Sequence, residues 1–93
     1  MTNILNRSLC IVNKIARKPY YRDDNFLQEV GAKIRENRLK AGLTQMDLAF
    51  KCNDIDYSQI NRLELGKVNF SISYLKLIAS ALNVKIADLM PFE

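Results

Sequence analysis

Histidine and tryptophan are missing from this 93-residue chain, and only two cysteines, Cys10 and Cys52, are present. Without histidine the commonest general base is gone, and no Cys/His pairing can form, so the chain lacks an ordinary nucleophile–base set. The two cysteines stand far apart and form no C-x-x-C pair, which removes the usual zinc frameworks. The adjacent acids Asp23 and Asp24 read as solvated linker residues rather than a catalytic pair. The expectation is a protein that is not an enzyme and uses no metal or cofactor. A disulfide needs an oxidising compartment, and no signal-peptide core precedes the cysteines, so both thiols are expected to be reduced. Long apolar runs are also absent. The stretch from Ile4 to Ile15 is broken by Asn6, Arg7, Asn13 and Lys14 and is too short and polar to span a bilayer. A cytoplasmic location without membrane partner is the reading. There are no internal repeats and no low-complexity segments.

What is present suits one small domain. Hydrophobic residues make up 48% of the chain and charged residues 26%, with a formal net charge of +4. A core is within reach, and a modest cationic excess fits a polyanionic partner such as nucleic acid. The one clear break is Lys18-Pro19-Tyr20-Tyr21-Arg22-Asp23-Asp24, because proline disfavours helix before it and donates no amide. Residues 1–23 are therefore read as an N-terminal extension and linker, and residues 24–93 as the main domain. Within the extension, Leu5, Leu9, Val12 and Ala16 recur at helical spacing, with Ile4, Ile11 and Ile15 widening the stripe. The spacing predicts an amphipathic helix; a strand through Leu9 to Val12 or a disordered arm are the alternatives.

The main domain reads as helices throughout. Asp24 or Asn25 is placed to cap the first, which carries Leu27, Val30, Ile34 and Arg38 at helical spacing and is stopped by Gly42. Thr44 caps the second, with Asp47 three residues on, and Leu48, Ala49 and Cys52 line one side. Asn53-Asp54-Ile55-Asp56 is a turn by composition. Asp56 can cap a third helix from Tyr57 to Leu65, ended by Gly66. Ser71 can cap a fourth, striped by Leu75, Ile78, Ala79 and Leu82. A short helix near Ile86–Met90 precedes Pro91. The predicted core is Val30, Ile34, Leu43, Leu48, Ala49, Ile60, Leu63, Leu75, Ile78 and Leu82.

In the third helix Ile60 and Leu63 can face the core, leaving Tyr57, Ser58, Asn61, Arg62 and Leu65 on the other side. Arginine can fork onto guanine and asparagine onto adenine, and a helix fits the major groove. Periodicity alone would leave this as a solvated polar face.

The order of several blocks says more. They are Gly31-Ala32-Lys33-Ile34-Arg35-Glu36-Asn37-Arg38, Gly42-Leu43-Thr44-Gln45, Leu48-Ala49, Ile60-Asn61-Arg62-Leu63-Glu64-Leu65-Gly66-Lys67 and Leu75-Lys76-Leu77-Ile78-Ala79-Ser80-Ala81-Leu82. Over residues 27–90 the chain resembles the Cro/phage-repressor (XRE-type) helix-turn-helix family. The resemblance implies an all-α, five-helix phage-repressor-like domain, here with an extra N-terminal helical segment. It implies a sequence-specific transcriptional regulator, a repressor, that binds double-stranded DNA as a homodimer. It assigns base reading to Tyr57, Ser58, Asn61 and Arg62. It assigns contacts with the DNA backbone to Gln45 and Thr44 at the head of helix two and to Lys67 and Asn69 after helix three. It pairs Arg38 with Glu64 as a structural ion pair. The turn from Ala49 to Ile60 is one residue longer than the usual family spacing, and Phe70 stands where the family often has proline. The extension matches nothing in the family pattern.

The rival reading is an antitoxin-like interaction module that also binds its own operator, with a toxin or another regulator as protein partner. Small members of the family act as phage or mobile-element repressors, as controllers of restriction-modification genes or as antitoxins. For assembly, the apolar C-terminal residues Leu89, Met90 and Phe92 and the stripe of Leu5, Leu9 and Val12 are the expected surfaces.

Overall fold

The computed structural model describes residues 21–91. The predicted N-terminal helix, its apolar stripe and Phe92 lie outside these residues. Four α-helices follow one another: α1 (Asp24–Lys40), α2 (Gln45–Lys51), α3 (Tyr57–Glu64) and α4 (Ile72–Leu82). A four-residue 3₁₀ turn, Ile86–Leu89, stands where a fifth helix was expected. No strand occurs among the described residues.

Local chemistry sets most of these boundaries. The α1 cap is Asp23, one residue earlier than the expected Asp24 or Asn25; its carboxylate accepts from the Phe26 N–H at 3.1 Å. Thr44 and Asp47 form a reciprocal capping box on α2: the Asp47 N–H donates to the Thr44 hydroxyl at 3.0 Å and the Thr44 N–H to the Asp47 carboxylate at 2.9 Å. Two free amides of the helix start are thereby satisfied. The Ser71 hydroxyl accepts from the Tyr74 N–H and opens α4. At their other ends α1 and α3 close with Gly42 and Gly66 at φ 73° and 74°. In both, the next residue's N–H turns back to a carbonyl in the last turn, Leu43 to Arg38 and Lys67 to Arg62. A side chain would resist this left-handed conformation.

The helices bury one continuous apolar cluster. Nine of the ten predicted core residues are buried, and Leu43 is half-buried at its edge. Leu27, Cys52, Ala79 and Leu89 join it. Leu89 is 0% exposed, so it belongs to the core and is withdrawn from the expected assembly surface. The 3₁₀ turn holds it inward against α1 and α4. Cys52 is a free thiol in this cluster, and burial pushes its pKa above the ordinary value, which makes it a poor nucleophile.

The turn between α2 and α3 holds two of the three non-glycine residues at positive φ among the described residues, the third being Asn83 after α4. Asn53 and Asp54 both sit in the left-handed region, at φ 61° and 57°. Asparagine and aspartate tolerate that region better than most residues, but still at a cost. Asp54→Gly is therefore expected to stabilise the domain by ~0.5–1 kcal/mol and raise the Tm by a few degrees. A calorimetric melt checks this; a lower Tm would show that the Asp54 side chain holds the turn.

Candidate nucleic-acid interface

Helix α3 is gripped from two sides. It packs on α1 and on α2, with Ile60 and Leu63 fully buried and Glu64 almost so. Tyr57, Asn61, Arg62 and Leu65 are exposed and Ser58 is half-buried. One row of the helix thus faces water with a phenol, an amide and a guanidinium, while the other is locked in the core. Among the described residues Arg62 makes no salt bridge, and its side chain is exposed.

The grip is polar as well as apolar. Arg38 reaches from α1 to Glu64, with Nε to Oε2 at 2.6 Å and Nη2 to Oε1 at 3.1 Å. Its Nη1 donates to the Leu43 carbonyl at 2.9 Å. The side-chain amide of Gln45 donates to Glu64 at 3.1 Å and to Asn61 at 3.3 Å. One guanidinium and one amide therefore tie α1, the α1–α2 turn, α2 and α3 together. Charge-assisted, two-pronged bonds of this kind fix orientation as well as contributing energy.

At the head of α3 the arrangement departs from the sequence expectation. Asp56 occupies the N-cap position but makes no capping bond to the helix amides. Its carboxylate instead accepts from the Ser58 hydroxyl at 2.6 Å. Ser58 and an acid thus form one unit at the leading edge of α3. At α2, Thr44 is exposed and its hydroxyl is occupied by the cap. The Asp47 carboxyl is held below its ordinary pKa, first by the Thr44 N–H and then by the Thr44 side chain.

Beyond α3, Lys67 and Asn69 are exposed. The Asn69 side-chain amide donates to the Tyr21 carbonyl at 2.9 Å, and Arg22 donates to the Lys67 carbonyl at 3.4 Å. The segment read as a linker is thus fastened at its end to the loop after α3. Contacts across more than forty residues leave no local sequence signal. Met46 and Phe50 are also exposed and line one groove with Tyr57; their four-residue spacing was the readable sign of a second apolar face on α2. Among the described residues no cluster of acids and cysteines could hold a metal ion, and no helix is long and apolar enough to cross a membrane.

Two helices meeting through a tight turn, the second presenting a polar row outward, are matched by the helix-turn-helix family model over residues 34–89. The chain belongs to this family, in its XRE type. Its function class is DNA-binding transcriptional regulation. Among solved structures, the restriction-modification controller protein C.AhdI from Aeromonas hydrophila is similar at 30% identity and a TM-score of 0.70, over 75% of this chain and all of that one. The controller protein C.Esp1396I is similar at 34% identity and a TM-score of 0.65, over 72% of this chain and 85% of that one. The clp gene regulator ClgR from C. glutamicum follows at 26% identity and a TM-score of 0.65, over 69% and 82%. A search of curated proteins finds no match.

Proposed function

We propose that this helix-turn-helix regulator reads the DNA major groove with Tyr57, Ser58, Asn61 and Arg62 and acts as a homodimeric repressor in the cytoplasm, not as an enzyme. The observation that carries the reading is the split face of α3, anchored through Ile60, Leu63 and Glu64 and exposed through Tyr57, Asn61 and Arg62. A reading helix has to be immobile behind and hydrogen-bonding in front, and α3 is both. Gln45, Thr44, Lys67 and Asn69 flank it at positions suited to phosphates, which set register without carrying sequence information. One such helix reaches only a few base pairs, so two copies on half-sites about 34 Å apart are needed to specify a site. The likeness to two restriction-modification controllers favours that role over phage repressor or antitoxin. The main domain spans residues 24–93, with residues 1–23 as an extension of it.

The test is selection of bound sequences from random duplex DNA, followed by two variants titrated on the selected and on a scrambled duplex. A palindromic motif supports the dimer. Arg62→Ala is expected to cost ~1–3 kcal/mol on the selected duplex and to relax preference at one base position. Gln45→Ala is expected to weaken both duplexes alike. Equal loss on both duplexes for Arg62→Ala would make it a backbone residue and overturn its reading role.

A further inference from the structure

The major groove of DNA offers a protein few hydrogen-bond donors. Phosphate oxygens only accept, and the base edges of guanine (N7 and O6) and thymine (O4) accept as well. The donors are the amino groups of cytosine and adenine. An acceptor on the reading face is therefore repelled by most of the DNA surface and suits a small part of it. A carboxylate, with its full charge, sharpens the contrast.

Asp56 is such a carboxylate. It directly precedes α3 and is exposed. An acid at that position ordinarily accepts from the first helix amides, yet Asp56 makes no capping bond. It makes no salt bridge among the described residues either. The Ser58 hydroxyl donates to its Oδ2 at 2.6 Å. That bond orients the carboxylate and leaves Oδ1 without a partner among the described residues. Asp56 also shares a groove with Met46, Phe50 and Tyr57, and apolar surface strengthens a neighbouring hydrogen bond by excluding water. The N-terminal residues of a reading helix are those that contact base edges, and Asp56 stands at that end beside Tyr57.

We propose that Asp56 is a specificity-determining residue that accepts from the N4 amino group of one cytosine in each half-site, with Ser58 as the positioning residue that holds its carboxylate. This rests on the DNA-reading role of α3. Cytosine is favoured over adenine because adenine sets its N7 acceptor beside its amino group, where a carboxylate is repelled and an amide is not. Ser58 then takes part in the readout through Asp56, since its proton is committed to that carboxylate. The negative charge also favours the positive end of the α3 dipole, but that contribution is the same on every DNA sequence.

The experiment repeats the selection from random duplex DNA with the full chain as wild type, Asp56→Asn, Ser58→Ala and Ser58→Thr. Titrations on the selected and on a scrambled duplex follow. The wild type should select cytosine at one position per half-site, and replacing that C·G pair should weaken its binding by ~5- to 150-fold. Asp56→Asn keeps the size of the side chain and should turn that position to adenine, because an amide both donates and accepts. The other positions should stay as they were. On the scrambled duplex Asp56→Asn should bind as tightly as wild type or more so, since a charge of the same sign as the phosphates has gone. Ser58→Ala should blur the cytosine preference, and Ser58→Thr, which keeps the hydroxyl, should retain it. An unchanged motif for Asp56→Asn with equal tightening on both duplexes would make Asp56 a repelling charge only and overturn the proposal. Equal loss on both duplexes with a lower Tm would make it a residue of the helix start and overturn it too. A wild-type chain that selects no motif would sink the DNA-reading role itself, a result distinct from either.

Discussion

Glu64→Ala is expected to cost ~3–5 kcal/mol of stability. Arg38 is only 7% exposed and Glu64 only 8%. Removing the carboxylate leaves a guanidinium that cannot shed its proton, buried with the Leu43 carbonyl as its one remaining acceptor. The Gln45 amide loses one of its two acceptors and keeps Asn61. Desolvation dominates this number, so it measures the cost of breaking the pair and not the worth of having it. The double replacement Arg38→Met with Glu64→Leu removes both charges at similar volume and is expected to recover most of the loss. Urea titrations of the two single variants and the double variant close the cycle. If Glu64→Ala lost less than ~1 kcal/mol, the pair would be behaving as a solvated surface pair and its part in orienting α3 would fall.

Gly31→Ala is expected to lose at least ~2 kcal/mol, although alanine is ~1 kcal/mol the better helix former in isolation. Gly31 sits mid-way along α1, where the helix crosses the end of α3. An added Cβ would overlap the Leu63 carbonyl oxygen and lie 2.5 Å from that of Glu64 and 2.8 Å from its carbonyl carbon. These are backbone atoms, so no rotamer change relieves them; α1 and α3 must move apart. Such a shift also pulls Glu64 away from Arg38. The paired control is Ala32→Gly on the exposed side, which should lose only the propensity difference, ~1 kcal/mol. Thermal melts should separate the two by several degrees. A higher Tm for Gly31→Ala would mean that the helices do not approach so closely.

Sequence periodicity was sufficient for what depends on near neighbours. The stripes of α1, α3 and α4, the Thr44 and Ser71 caps and the Gly42 and Gly66 stops are each written within a few residues, and each recurs in the structure. The Arg38–Glu64 contact was legible only through the family resemblance, since 26 residues separate its members. Two kinds of feature escaped. Leu89 looked like a surface residue because a four-residue 3₁₀ turn has too little length to show a period. Asp56 looked like a cap because its residue type favours that role, yet the Ser58 hydroxyl competes for the same carboxylate, and only three-dimensional placement decides the winner. The anchoring of Tyr21 and Arg22 had no local trace at all.

The two-sided character of α3 bears on how such a protein would acquire a new target. Among the described residues the Tyr57 and Arg62 side chains make none of the side-chain hydrogen bonds that hold the helix in place, so substitutions there change the text being read with little disturbance of the reader. Asn61 is different. Its side-chain oxygen accepts from the Gln45 amide that also serves Glu64, so exchanging it disturbs the hinge between α2 and α3 along with the readout. A lineage of such regulators should therefore diverge first at positions 57 and 62, with change at 61 arriving late and accompanied by change at 45.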